Sequence, residues 1–365
     1  MLRRRTGPDP KAVIVKELQA GNFRNLEALE LRPHPRLNYL WGENGAGKTS
    51  VLEALIVLSR GRSFRTTQSA ELVGPHGRAF HVFAEVEDEQ GARHRLGLER
   101  AGRHWRGRLD GRDVAQLSQL TRCLPLVLME PDSHLLINGP PEVRRKYLDW
   151  GMFHVEQAFL GDWRSYSRAL KQRNAALRRG ETGVLDSLDA VVAEQGERLG
   201  ALRRRHADAV SGRINRLMAE IGERFGPVEL RYQDGWTTPT YLESLQGNRQ
   251  RDLERGQTGT GPHRADLVLL CDGQAARVRL SRGEQKALAA ALLLTQAEIL
   301  AGSVSRPVLL LDDLVSEFDR QHFEAVLARA GATGAQLWLT GTQRPDLATE
   351  HRMFHVKQGV VEELV

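Results

Sequence analysis

Apolar and polar positions alternate over residues 13–18 and 26–31, which predicts two paired strands, with Gly21, Asn22 and Asn25 supplying turn chemistry between them. Residues 37–41 are a short apolar run that stops at Gly42. The stretch after it sets Val51, Leu52, Leu55, Ile56 and Leu58 on one side of a helix. Residues 79–113 read as a β-meander cut by turns at 89–91, 101–102 and 110–111, and residues 125–129 as another apolar strand. After Gly139-Pro140-Pro141 the pattern changes, and from 142 to about 224 it is almost wholly helical. Trp163, Tyr166, Leu170 and Leu177 recur at helical spacing. Leu185, Leu188, Val192, Leu199, Leu202, Ile214, Leu217 and Ile221 run close to a heptad seam. Gly196 and Gly200 weaken that seam, each costing about 1 kcal/mol relative to Ala inside a helix. The expectation is therefore a helical hairpin packed on itself, not a long coiled coil. Strand and loop return after Pro227, followed by an Ala- and Leu-rich helix over 283–301 and buried strands at 308–311 and 336–340.

This order predicts an α/β head formed by residues 11–141 and 225–365, with a helical lobe inserted at 142–224. Residues 1–10, rich in Arg, Pro and Gly, read as a flexible leader. With 41% hydrophobic and 27% charged residues, the 365-residue chain has the composition of a globular protein. Arg3, Arg4 and Arg5 are followed by no apolar segment of signal-peptide length, and no run approaches the ~18 apolar residues of a membrane helix. Cys123 and Cys271 lie in no CxxC or Cys/His cluster, so neither a zinc site nor a disulfide scaffold is expected, and a cytoplasmic location is.

The apolar run and the helix after it frame Gly42-Glu43-Asn44-Gly45-Ala46-Gly47-Lys48-Thr49, a full match to the P-loop pattern in its proper strand–loop–helix setting. Its glycines let backbone N–H groups turn onto phosphate, and the helix N-terminus adds partial positive charge. With Ser50, these residues are the expected ATP-binding set. Lys48 is placed to reach the β- and γ-phosphates, and the Thr49 hydroxyl to bind Mg²⁺. The apolar strand 308–311 then ends in Asp312-Asp313. Two carboxylates at a strand end call for a cation, so Asp312 fits a metal ligand, directly or through water, and Asp313 the group that orients or deprotonates the attacking water.

Ser281-Arg282-Gly283-Glu284-Gln285-Lys286 opens a helix. Ser281 and Glu284 make an ordinary capping box, while the position before the Asp312 strand is that of the signature motif of ABC-type ATPases, which completes the nucleotide site of the opposite protomer. Both readings can hold together. Residues 314–319, with Ser316 and Asp319, resemble the D-loop of that class. Thr340-Gly341-Thr342 stands at its switch position without a His, leaving Thr340 or Thr342 for a γ-phosphate contact. His263 has no assigned role.

Together these segments resemble the RecF family over nearly the whole chain. The resemblance is carried by Asn22-Phe23-Arg24-Asn25, the P-loop, Gly61-Arg62-Ser63-Phe64-Arg65-Thr66, Arg144-Arg145-Lys146-Tyr147-Leu148-Asp149-Trp150, Leu170-Lys171-Gln172-Arg173-Asn174-Ala175-Ala176-Leu177, Gly261-Pro262-His263-Arg264-Ala265-Asp266 and residues 280–286. It implies an ABC-type head like those of structural-maintenance-of-chromosomes (SMC) ATPases, with a short helical lobe in place of a long coiled coil. It implies ATP-dependent homodimerisation, slow ATP hydrolysis with Mg²⁺, binding of single- and double-stranded DNA, help in loading recombinase at gaps, and RecO and RecR as partners. Two features depart from the pattern: a longer leader, and Met129-Glu130-Pro131-Asp132 where many ABC-type heads carry a Gln loop.

The net charge of +6 rests on arginine, since only 7 of the 52 basic residues are lysine. Arg suits phosphate, although a GC-rich genome also raises its share. The DNA-facing candidates are Arg95, Arg103, Arg106 and Arg108 in the meander, Arg168 and Lys171 in the basic stretch 163–179, and the triplet Arg203, Arg204 and Arg205. Trp105 and Trp163 are available to stack on unpaired bases. Any one of these also reads as part of a solvated face or core. The competing functions are a transporter ATPase subunit, which calls for a Gln loop and His switch, an ATP-dependent nuclease, which calls for a further carboxylate cluster, and an interaction protein with an inert site.

Overall fold

The computed structural model describes residues 12–75, 77–102, 104–222, 226–344 and 350–364. The leader at 1–10 and Arg103 lie outside them. Two compact units divide the chain: Met1–Ser133, Glu220–Gly222 and Leu293–Val365 form the first, His134–Ala219 and Glu223–Leu292 the second.

The first unit contains two six-stranded sheets. One is antiparallel, in the order Leu26–Leu31, Ile14–Phe23, Ala79–Glu87, Arg93–Ala101, His104–Leu109, Arg112–Asp113. Ile14–Phe23 runs past the strand predicted at 13–18 and takes in Gly21 and Asn22, read above as turn residues: Gly21 pairs with Ala28 and His81, and the turn falls at Arg24-Asn25. The other sheet runs Val360–Leu364, Arg352–Lys357, Leu37–Trp41, Leu337–Gly341, Val308–Leu311, Leu126–Met129, and is parallel except for its first strand. Val308–Leu311 is buried at every position, as the unbroken apolar run requires. The helix Lys48–Arg60 has no solvated face over Ser50–Ser59, and its Val51, Leu52, Leu55 and Leu58 share one core with Leu18, Phe23 and Phe80 of the antiparallel sheet and Leu310 and Trp338 of the parallel one.

The second unit holds the helices Pro141–Val155, Phe159–Arg179 and Leu185–Glu220 and a three-stranded sheet of Val228–Gln233, Asp266–Cys271 and Gln274–Ala275. Two short helices, Tyr241–Gly247 and Arg249–Arg255, occupy the segment read from sequence as strand and loop. Gly180, at φ 68°, ends Phe159–Arg179 in a left-handed cap and turns the chain into the next helix. Gly196 and Gly200 do not interrupt Leu185–Glu220, which is continuous over 36 residues. They are sites of close approach: a Cβ at Gly196 would stand 2.6 Å from the Tyr241 ring, and one at Gly200 3.1 Å from an Asp234 carboxylate oxygen. Packing against those bare helix positions offsets the intrinsic cost of glycine.

Arg173 sits wholly buried in this unit. It donates to Asp189 at 2.6 Å, Asp252 at 2.8 Å and Thr258 at 2.8 Å, while Arg249 holds the other Asp189 oxygen at 2.6 Å. His263 is also structural. Its Nε2 donates to the Thr258 carbonyl at 3.0 Å, so its Nδ1 accepts from the Tyr166 hydroxyl at 2.7 Å. Burial pushes its pKa down to about 4, which keeps the ring neutral. Among the described residues no helix is long and apolar enough to cross a membrane.

Candidate functional site

Leu37–Trp41 lies between Leu337–Gly341 and Arg352–Lys357 in the parallel sheet, so the P-loop leaves from the carboxyl ends of its inner strands, where open α/β sheets take ligands. Gly42 (φ 154°) and Gly47 (φ 116°) are required there. A Cβ at Gly42 would sit 2.2 Å from the Val356 carbonyl oxygen, and one at Gly47 2.9 Å from the Asn25 amide. The Lys48 ammonium is folded back on the loop, donating to the carbonyls of Gly42 at 2.8 Å and Glu43 at 2.9 Å. Burial draws its pKa down, against the opposing pull of Asp313 and Asp312.

The register Leu311↔Leu339 sets Asp312 beside Thr340 on the neighbouring strand. Asp312 Oδ1 accepts from Thr340 Oγ1 at 2.7 Å and from Thr49 Oγ1 at 3.0 Å. One carboxylate thus joins the P-loop helix to two strands. Burial raises its pKa despite these two bonds. The Asp313 N–H donates to Thr340 Oγ1 at 2.9 Å. Asp313 takes a left-handed φ of 51°, unusual for a residue with a side chain, and its buried Oδ1 has no hydrogen-bond partner among the described residues. A non-glycine residue in that region is strained, and such strain concentrates at functional sites. Glu130, at the place of the missing Gln, follows Leu126–Met129, the strand next to Val308–Leu311; burial and the nearby Asp132 and Asp312 push its pKa up to about 7.

A cavity of about 460 Å³ opens here, within the size range of small-molecule sites. Asn44, Gly45, Gly47, Lys48, Thr49, Ser50, Asp313 and Thr340 line it. So do Arg24, Asn25 and Arg65, none of which the sequence marked as a site residue. Asn25 clamps the loop: its amide donates to the Ala46 carbonyl at 3.2 Å, and its Oδ1 accepts from Ser50 at 2.9 Å. Arg24, at φ 55°, donates twice to buried Glu53, at 2.9 and 2.7 Å, and Ser63 bonds the same carboxylate at 2.5 Å. Arg65 stands 3.5 Å from Glu53. The sequence signal was weak: a two-residue turn, Arg24-Asn25, between well-patterned strands. Nothing local ties that turn to the P-loop.

Ser281–Lys286 is in the second unit. The capping box forms there: the Ser281 N–H donates to Glu284 at 2.7 Å, and the Glu284 N–H to Ser281 Oγ at 3.4 Å. Gln285 is buried, donating to the Leu280 carbonyl at 2.9 Å and accepting from Asn138 at 2.9 Å, while Ser281, Arg282 and Gly283 are exposed. In the first unit Ser316 is exposed, Asp319 caps Arg320–Ala332 through the His322 N–H at 2.9 Å, and Thr342 is exposed and does not line the cavity. The DNA-facing candidates divide. Arg203 is corrected: it is 3% exposed and donates to Asp149 at 2.7 and 2.8 Å and to the Pro262 carbonyl, so it belongs to the core. Arg95, Arg106, Arg108, Arg204, Arg205, Arg168 and Lys171 are exposed. Trp105 packs edge-on against Phe80 with Arg100 over its ring, whereas Trp163 is 41% exposed. Among the described residues no group of three or more His, Cys, Asp or Glu converges as a metal cluster.

Residues 14–362 match the model of the RecF/RecN/SMC N-terminal domain family. The chain is 42% identical over 359 residues to the DNA replication and repair protein RecF of Xanthomonas axonopodis pv. citri (strain 306), covering 95% of this chain and 98% of that one. It is similar, at 26% identity and a TM-score of 0.89 over the whole of both chains, to a solved structure of the recombination mediator protein RecF with ATP in the RecFOR pathway. An Smc head bound to a domain of ScpA, at 14% identity and a TM-score of 0.59, shares the fold.

Proposed function

The chain belongs to the RecF family, an ABC-type, SMC-like ATPase head, and from that premise we propose that it is an ATP-switched DNA-binding protein of DNA replication and recombinational repair. The observation that carries this reading is the bonded chain Thr49–Asp312–Thr340 at the mouth of the P-loop, with the unpartnered Asp313 carboxylate beside it. The cavity suits a nucleoside triphosphate. Loop N–H groups and the helix N-terminus receive phosphate oxygens, and Lys48 exchanges the Gly42 and Glu43 carbonyls for the β- and γ-phosphates. Mg²⁺ suits the Thr49 hydroxyl and the Asp312 carboxylate, where it would neutralise phosphate charge. Asp313 orients water for hydrolysis and accepts its proton, Thr340 holds the Asp312–Asp313 turn in place, and Arg24 and Arg65 add positive charge at the wall.

In this reading Ser281–Lys286 acts in trans on the nucleotide of a second copy, with Ser316 and Asp319 at the same interface, so ATP favours a homodimer through its greater affinity for the paired state. Hydrolysis is slow, is stimulated by DNA and releases the pair. The dimer works in the cytoplasm on single- and double-stranded DNA near gaps, with RecO and RecR, and helps load recombinase. Turnover per protein, measured against protein concentration with and without gapped duplex and beside Lys48→Met, tests it. Rising, DNA-stimulated turnover that Lys48→Met abolishes is the expected result. Flat turnover that ignores DNA would mean a self-contained site and would sink the clamp reading.

A further inference from the structure

Most of the cationic candidates are already engaged. Arg106 and Arg108 share Asp113 at 3.0 and 3.3 Å, Arg95 lies 3.7 Å from Glu85, Arg204 2.5 Å from Asp234, and Arg205 3.7 Å from Glu156. Within the basic stretch 163–179, Arg173 turns inward to the buried Asp189 and Asp252. What remains is ordered. Arg164, Arg168, Lys171 and Arg178 are all exposed, at spacings of four, three and seven residues along Phe159–Arg179. At about 100° per residue they fall within an arc of roughly 80°, opposite the buried Tyr166, Ala169 and Arg173. Among the described residues none of the four has an ion-pair partner. No acidic residue lies between Trp163 and Arg179, and Trp163 stands exposed one residue before the first cation.

We propose that this stripe is the surface on which the second unit tracks the nucleic-acid backbone, with Trp163 stacking on an unpaired base at its end. The inference rests on the DNA-binding reading above and deepens it. Four unneutralised cations over 14 residues cover ~21 Å of helix, which matches about six base pairs of duplex length at 3.4 Å each. An ion pair must be given up before a paired Arg can serve phosphate, whereas these four give up only water and counterions. The tryptophan adds what charge cannot: a flat apolar face that any splayed base satisfies, which favours a junction between duplex and single strand.

The test is fluorescence anisotropy of the full chain with ATP and Mg²⁺ on gapped duplex, blunt duplex and single strand, over a range of KCl. Arg164→Ala/Arg168→Ala/Lys171→Ala is expected to lose at least about tenfold in affinity and to flatten the log–log salt slope by roughly 2 to 3, with ATP binding kept. The charge-keeping Arg164→Lys/Arg168→Lys/Lys171→Arg is expected to hold the slope, which separates charge from misfolding. Trp163→Ala is expected to weaken gapped and single-stranded DNA by about tenfold and blunt duplex far less. If wild type binds and the alanine triple matches it in affinity and slope, the stripe is wrong while the DNA-binding reading stands. If wild type binds no DNA even at low salt, both fall together.

Discussion

Two buried ionic clusters, one in each unit, show how a finished arrangement differs from an unfinished one. Around Arg173 the guanidinium is answered: two buried carboxylates and a hydroxyl take its N–H groups, and Arg249, at the edge of the network, holds the second Asp189 oxygen. Around Asp312 the groups converge but do not close. Asp313 keeps a buried oxygen without a partner among the described residues and holds a strained φ, and Lys48 spends its charge on carbonyls of its own loop. Burying charge is tolerable when partners repay the lost hydration, as at Arg173. Where they do not, the imbalance marks a place built for a ligand that brings the missing charges.

The comparison is broken most severely at Arg173. Arg173→Met leaves buried Asp252 without its cation and Asp189 with Arg249 alone, and is expected to cost about 3–5 kcal/mol of stability, read by denaturant unfolding. A loss below about 1 kcal/mol would mean the network is not buried as described. At the other cluster the opposite split is expected. Asp313→Asn leaves thermal stability nearly unchanged and lowers ATP turnover by roughly 10²–10³, with nucleotide still bound. Unfolding of this variant, or unchanged turnover, would remove Asp313 from its assigned role. Protonation sharpens the contrast more gently. Burial holds His263, and likewise His206, at a pKa of about 4, below the ordinary 6.5. The unfolded chain binds those protons more readily, so their contribution is complete above pH 6.5 and is lost as pH falls toward 4. The loss is on the order of 2–3 kcal/mol per histidine, and His263→Gln should flatten the curve measured by thermal melts across that window.

Much of the nucleotide site was legible in the residues. The P-loop is contiguous, its glycines and lysine sit at fixed spacing, and the strand before and helix after it follow from apolar periodicity. The Asp312-Asp313 pair and the Ser281–Glu284 capping box are equally local, and the box formed as read. Arg24 and Asn25 were not legible as site residues, because a turn reveals its chemistry only when the fold lays it against something. The same limit explains the triplet at 203–205: three adjacent arginines look alike in sequence, yet helical rotation sends Arg203 to Asp149 in the core and leaves Arg204 and Arg205 at the surface.

Sequence alone therefore determined most of the elements, the P-loop and the Asp312-Asp313 pair at its strand end, since each depends on spacing within a few residues; the helices Tyr241–Gly247 and Arg249–Arg255 were not among them. Tertiary structure decided the rest. It placed Thr340 on Asp312 across the register of two strands, laid Asn25 over the P-loop, made Gly196 a point of contact instead of a break, and sorted the arginines into core and surface. The reason is physical: what a charged or small side chain does is set by its burial and by partners distant along the chain, and neither exists until the chain has folded.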